Sequence, residues 1–230
     1  MLLIDGIAKS FPNPEGGILP IIDIPSWRID TPEHVAIKGR SGTGKTTFLH
    51  LIAGIMRPDR GRILIDGNDI AAMSEPQRDI TRARSIGYIF QAFHLLPGYT
   101  ALENVLLAQD FAGKRDPAFA RQLFDRVGLA DRIHHRPAQL SIGQQQRAAL
   151  VRALATRPRL VIADEPTGSL DPHHAAQAIA LIRTLCLEQQ AALLVVTHSP
   201  EVIHDFSRVD TFETINRACQ QPATTTQASA

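Results

Sequence analysis

Three short stretches carry residue types that could do chemistry. The first, "GRSGTGKTT", runs from Gly39 to Thr47 and fits G-x-x-x-x-G-K-[ST], with Gly39, Gly44, Lys45 and Thr46 in place. An apolar run precedes it and a helical pattern follows, which is the context the motif requires. The glycines allow backbone N–H groups to turn inward around phosphate oxygens, and the positive end of the following helix points at them. In such a loop Lys45 reaches the β- and γ-phosphates, the Thr46 hydroxyl coordinates Mg²⁺, and Arg40, Ser41, Gly42, Thr43 and Thr47 complete the cradle. A glycine-rich turn before a helix would look alike only without the full pattern, so we read nucleotide binding here.

The second stretch, "RLVIADEP", ends an apolar run with Asp164 and Glu165. Carboxylates at the C-terminal end of a parallel strand sit where open α/β sheets bind ligands. Asp164 is expected to hold Mg²⁺, and Glu165 to take a proton from an attacking water. Taken alone, the pair could be a strand ending in two solvated acids; the upstream phosphate loop favours the functional reading.

The third stretch, "LSIGQQQRAALVRAL", spans residues 140–154 and has no residue that could act as a nucleophile's base or a metal ligand. Ser141 and Gln144 form an S-x-x-Q capping box, so a helix should start there. Ala148, Val151, Leu154 and Ala155 give it a buried stripe. The helix N-terminus is a ready anion site.

The elements that must position these residues are of two kinds. Apolar runs without alternation recur at "HVAIKG" (34–39), "RILIDG" (62–67), "SIGYIF" (85–90), "RLVIAD" (159–164) and "ALLVVT" (192–197). They read as strands of a mostly parallel sheet, buried on both faces. Helices are expected at 46–55, at 100–109 behind a Thr100–Glu103 capping box, at 116–128 behind Asp116 and Pro117, and at 171–190. Strands dominate up to Gln91, helices from 92 to 156, and strands then return. This order implies one domain over 1–219, with a core of 1–91 and 157–219 and an inserted helical subdomain of 92–156. The polar, low-complexity stretch 220–230 reads as a disordered tail.

Composition sets further limits. The 230 residues are 44% hydrophobic and 20% charged, ordinary for a globular chain. Lys and Arg number 24 against 23 Asp and Glu, so no basic nucleic-acid-binding face is indicated. Cys186 and Cys219 have no metal spacing and read as free thiols of a reducing compartment. The His pairs at 134–135 and 173–174 lack ligand spacing too. Charges come too early for a signal peptide, and no apolar run approaches the ~20 residues of a membrane span. Any membrane function would need a partner.

Over residues 2 to about 210 the chain resembles the ATP-binding subunit of an ABC transporter, with the family's motifs in order. "GRSGTGKTT" is similar to Walker A and "LVIADEP" to Walker B. Gln91 in "YIFQAFHLLPGYTALENV" resembles the Q-loop glutamine, which in the family contacts Mg²⁺ and couples to the membrane subunit. "GSLD" (168–171) resembles the D-loop with Asp171, His198 in "VVTHSP" the switch histidine at the γ-phosphate, and Phe11 the aromatic that stacks on adenine. The third stretch resembles the signature motif, with Ile142 where the first of two glycines is usual.

The resemblance implies a P-loop NTPase core with a mostly parallel sheet, an inserted α-helical subdomain and a small N-terminal antiparallel β-region. It implies ATP hydrolysis with Mg²⁺, catalysed through Glu165, His198 and Gln91, with Thr46, Gln91 and Asp164 around the metal. It also implies a head-to-tail homodimer in which Ser141, Gly143, Gln144 and Asp171 contact the partner's ATP. The site would lie in the cytoplasm, peripheral on the inner face of the cell membrane, bound to integral permease subunits. "FHLLPGYTALENVLLA" and "DEPTGSLD" resemble the branch serving lipoprotein-releasing, macrolide-exporting and cell-division permeases, so mechanical work without transport is the alternative reading. A chromosome-organising ATPase would need a long coiled coil between Walker A and the signature, and a translation-factor ATPase would carry two such domains.

Overall fold

The structure, a computed structural model, describes residues 2–14, 16–168 and 172–220. Along the chain lie β1 (Leu2–Pro12), β2 (Ile18–Ile29), β3 (His34–Lys38), α1 (Lys45–Ile52), β4 (Arg60–Ile65), β5 (Asn68–Asp69), α2 (Glu75–Ser85) and β6 (Ile86–Ile89). There follow α3 (Ala101–Ala112), α4 (Pro117–Arg126), α5 (Ile142–Leu154), β7 (Leu160–Asp164), α6 (Pro172–Glu188), β8 (Ala192–Val196), α7 (Pro200–Ile203), β9 (Arg208–Thr211) and α8 (Phe212–Ile215).

Two sheets result. A five-stranded sheet runs β6-β7-β8-β3-β9 with every neighbouring pair parallel. A four-stranded antiparallel sheet runs β2-β1-β4-β5. β7 and β8 are buried at every position, as strands covered on both faces must be. One core packs α3, α4, α5 and α6 against one face of the parallel sheet, around Phe124, Val151 and Ile179. The second fills the space between the two sheets around α1, where Phe48 meets Trp27 and Phe212 at ring-centroid distances of 5.5 and 5.6 Å.

Register decides where the loops emerge. Ile37 of β3 pairs with Val196 of β8, Val196 with Asp164 of β7, and Ala163 with Ile89 of β6. The C-terminal ends of four parallel strands therefore share one edge of the sheet. The phosphate loop, Gln91, Glu165 and His198 all follow those ends.

The helix that opens the third stretch begins as its capping box dictates. Ser141 is the N-cap, its Oγ accepts from the Gln144 N–H at 3.3 Å, and Gln144 Oε1 accepts from the Ser141 N–H at 2.9 Å. Ala148, Val151, Leu154 and Ala155 are all buried. α5 lies directly on β6: a Cβ on Gly87 would stand 2.3 Å from the Ala153 carbonyl oxygen.

Three elements differ from the sequence reading. Residues 62–67 belong with β4 of the antiparallel sheet, paired to β1, and not with the parallel strands. Ile63 and Ile65 face the core while Leu64 between them is only half-buried, so the strand alternates. α2 interrupts the strand-dominated stretch before Gln91 and buries none of its side chains. β9 and α8 follow His198, where the sequence reading placed no element.

Candidate nucleotide site

The phosphate loop turns between β3 and α1. Gly42 and Gly44 take φ of +78° and +99°, in the left-handed region that glycine enters without strain. At Gly44 a Cβ would also stand 2.7 Å from Ile21 Cγ2. Lys45 is 9% exposed, and its ammonium donates to the carbonyls of Gly39 at 2.9 Å and Arg40 at 2.6 Å. An ammonium has three donors, so one N–H remains for a phosphate. Thr43 Oγ1 donates to the Arg40 carbonyl at 2.8 Å and pins the loop tip.

A cleft of about 930 Å³ opens over this loop. Phe11, Gly39, Arg40, Ser41, Gly42, Gly44, Lys45, Thr46, Thr47, Gln91, Asp164, Glu165 and His198 all line it, and Thr43 does not. Ile21 lines it too and is absent from the sequence reading. It falls where the register between β1 and β2 shifts, after Lys9 pairs with Ile22 and before Ser10 pairs with Pro20. Such a bulge re-aims a side chain without leaving a sequence signal.

Asp164 closes the floor of the cleft. Burial raises its proton affinity, and a hydrogen bond from Thr46 opposes that rise. A buried carboxylate in that condition gains from a cation. Thr46, Asp164 and Gln91 offer hard oxygen ligands, and no cluster of three His, Cys, Asp or Glu side chains exists among the described residues. That donor set suits Mg²⁺, which takes one or two protein oxygens plus substrate phosphates and keeps its waters.

Glu165 sits one residue past β7 with φ +45°, uncommon for a residue bearing a Cβ. The turn is held by its N–H donating to Val196 O at 2.9 Å and its carbonyl accepting from Gly168 N at 3.1 Å. The reversal turns the carboxylate into the cleft, where Oε1 lies 2.7 Å from His198 Nδ1.

Ser141, Gly143 and Gln144 stand elsewhere. They line a separate cleft of about 570 Å³ between α5 and α6. A Cβ on Gly143 would meet nothing within 4 Å among the described residues, so none of them demands glycine there. Ile142 is the first residue of α5, 56% exposed and without positive φ. Asp171 lies outside the described residues.

The C-terminal segment reaches the loop from behind. The Glu213 carboxylate accepts from the Arg40 N–H at 2.7 Å, and this bond holds its proton affinity below the ordinary glutamate range. Asn216, fully buried, donates to Ile21 O at 2.8 Å and accepts from Asp23 N at 2.8 Å. No motif pointed to either residue. Both cysteines are free, and burial pushes the Cys186 thiol up to about 12.

Residues 22–168 match the family described as ABC transporter. The "Lipoprotein-releasing system ATP-binding protein LolD" of Cereibacter sphaeroides is 41% identical over 212 residues, 91% of this chain and 95% of that protein. An "Uncharacterized ABC transporter ATP-binding protein" of Thermotoga maritima is 44% identical over 183 residues, 78% of each chain. Among solved structures, the dimeric post-hydrolysis state of the ATP-binding cassette MJ0796 bound to ADP and Pi superposes with a TM-score of 0.83 at 32% identity. The match covers 92% of this chain and 94% of that one.

Proposed function

The chain belongs to the ABC transporter family as an ATP-hydrolysing subunit, and from that premise we propose how its residues divide the work. ATP lies in the cleft over the phosphate loop, its base against Phe11 and Ile21 and its phosphates on the loop N–H groups and Lys45. Thr46, Gln91 and Asp164 would hold Mg²⁺, which would supply positive charge against the phosphate oxygens. Glu165 accepts a proton from the water that attacks the γ-phosphorus. The bond from that phosphorus to the bridging oxygen breaks, leaving ADP and phosphate. His198 orients the Glu165 carboxylate and contacts the γ-phosphate.

The second half of each site comes from another copy. Within one chain the capped N-terminus of α5 lines a different cleft from the phosphate loop, and among the described residues nothing lies within 4 Å of a Cβ on Gly143. Two copies arranged head to tail set each α5 N-terminus against the other's γ-phosphate, with Ser141, Gly143, Gln144 and Asp171 in contact. The dimeric state of the MJ0796 cassette supports this reading.

Among the described residues no helix is long and apolar enough to cross a membrane. An integral permease partner would hold the subunit at the inner face of the cell membrane. A groove of about 530 Å³ beside Gln91 supports that reading. It is lined by Ile80, Phe90 and Phe111, with Ile80 49% and Phe111 72% exposed. The relatives named for a lipoprotein-releasing system support a permease of such a system as the partner. The 2.7 Å contact between His198 and Glu165, at the edge where the phosphate loop and Asp164 converge, carries the hydrolytic assignment. The test is steady-state ATPase of the chain alone and co-expressed with a candidate permease partner. A rate that is unaffected by Glu165→Gln sinks the assignment.

A further inference from the structure

Gln146 lies in the second turn of α5, 5% exposed, and its Nε2 donates to the main-chain oxygen of Pro166 at 2.5 Å. Pro166 directly follows Glu165. An apolar side chain of the same length could fill this place without the penalty of burying an amide. The amide is therefore explained by its bond, which crosses from the helix to the glutamate turn.

That turn needs holding. A glutamate at φ +45° persists only where its surroundings over-determine it. The bonds of Glu165 to Val196 and Gly168 belong to the sheet and to the turn itself. The bond from Gln146 comes from α5, whose N-cap is Ser141, five residues earlier and about 7.5 Å along the axis. Near its other end α5 grips the loop after Gln91. The Arg152 guanidinium donates to the main-chain oxygens of Phe93, at 2.6 Å, and His94, two residues with φ of +51° and +47°.

We infer that Gln146 is a positioning residue that makes the glutamate of one nucleotide site depend on the seating of the other site's phosphate. The N-terminus of α5 meets the γ-phosphate held by the partner, and Gln146 passes the position of the helix to Glu165, which acts on the chain's own ATP. The inference rests on the head-to-tail reading and on Glu165 as the base.

The test uses Gln146→Met, which keeps length and burial but removes the donor. ATP-driven dimerisation is followed by light scattering in a Glu165→Gln background, and steady-state ATPase with Glu165 intact. The inference expects dimerisation and KM within about twofold of the parent, and kcat lower by on the order of 10- to 100-fold, the effect of a small misplacement of a reacting group. If Gln146→Met does not fold, Gln146→Asn keeps the amide, falls one methylene short of Pro166, and should give the same split. An unchanged kcat overturns the coupling alone. Dimerisation lost in proportion to hydrolysis also overturns it, since Gln146 would then only stabilise α5. Should Glu165→Gln with native Gln146 fail to dimerise on ATP, the sandwich itself is wrong and the coupling falls with it.

Discussion

Nδ1 of His198 and Oε1 of Glu165 lie 2.7 Å apart, with the imidazole 76% exposed and the carboxylate 16% exposed. On the proposed roles, the exposed imidazole would orient the half-buried carboxylate. Glu165→Gln should keep ATP binding and lower hydrolysis by about 10²–10⁴, the usual worth of a positioned base, while holding two subunits together around ATP. His198→Ala should lower kcat by about 10², a positioning loss, with nucleotide affinity near the parent's. Single-turnover hydrolysis and fluorescent-nucleotide titration separate the two effects. Wild-type turnover in the Glu165→Gln protein would remove Glu165 from the role.

Lys45 and Phe11 should fail differently. Lys45→Ala removes a desolvated cation from the phosphates and should abolish nucleotide binding. Phe11→Ala removes only stacking, about 1–2 kcal/mol, and should weaken ATP by roughly 5- to 30-fold with kcat retained. Calorimetric titration reads both, and equal losses would contradict the separate roles.

Gly143→Asp should fold, melt near the parent temperature and bind ATP, because a Cβ there meets nothing within 4 Å among the described residues. It should block ATP-driven dimerisation by setting a carboxylate against the partner's γ-phosphate. Ile142→Gly should be close to neutral for activity, with a helix-stability loss of up to ~1 kcal/mol. A many-fold rise in hydrolysis by Ile142→Gly would make Ile142 a brake on closure.

Phe111→Asp tests the groove beside Gln91. The ratio of permease-stimulated to unstimulated ATPase should fall several-fold, while ATP affinity, measured alongside, stays put. An unchanged ratio would move the permease elsewhere.

Glu213 gives a pH signature. Its carboxylate is held below the ordinary glutamate range, chiefly by the Arg40 N–H. The unfolded chain therefore takes up a proton first as pH falls, so the stabilisation is full above the ordinary value and is lost as pH drops through the folded one. Thermal melts should place the parent above Glu213→Gln at pH 7, with the gap closing near pH 3. A constant gap would mean that the charge is immaterial.

Much of this was legible because function sits in contiguous stretches at strand ends. β7 and β8 announce themselves as unbroken apolar runs. α3 is declared by Thr100 and Glu103, whose side chains complete the capping box. α2 escapes because it buries no side chain and so has no apolar stripe; Ser74, Gln77 and Pro76 were its only signals. The sheet of β4 is a matter of pairing with β1, some 60 residues away, which no local pattern encodes. Glu213 reaches Arg40 across 173 residues, and a carboxylate accepting a main-chain N–H has no spacing to recognise. Gln146 reads as one of three glutamines until Pro166 is seen beside it.

At Gly87 the main chain of β6 touches the main chain of α5, with no side chain between them. Most helix–sheet contacts are cushioned by a layer of side chains whose rotamers can absorb a shift. Here there is no such cushion, so no rotamer change at that point can absorb a shift of the helix. On the head-to-tail proposal, a displacement of α5 would bear directly on the strand whose next residues are Phe90 and Gln91.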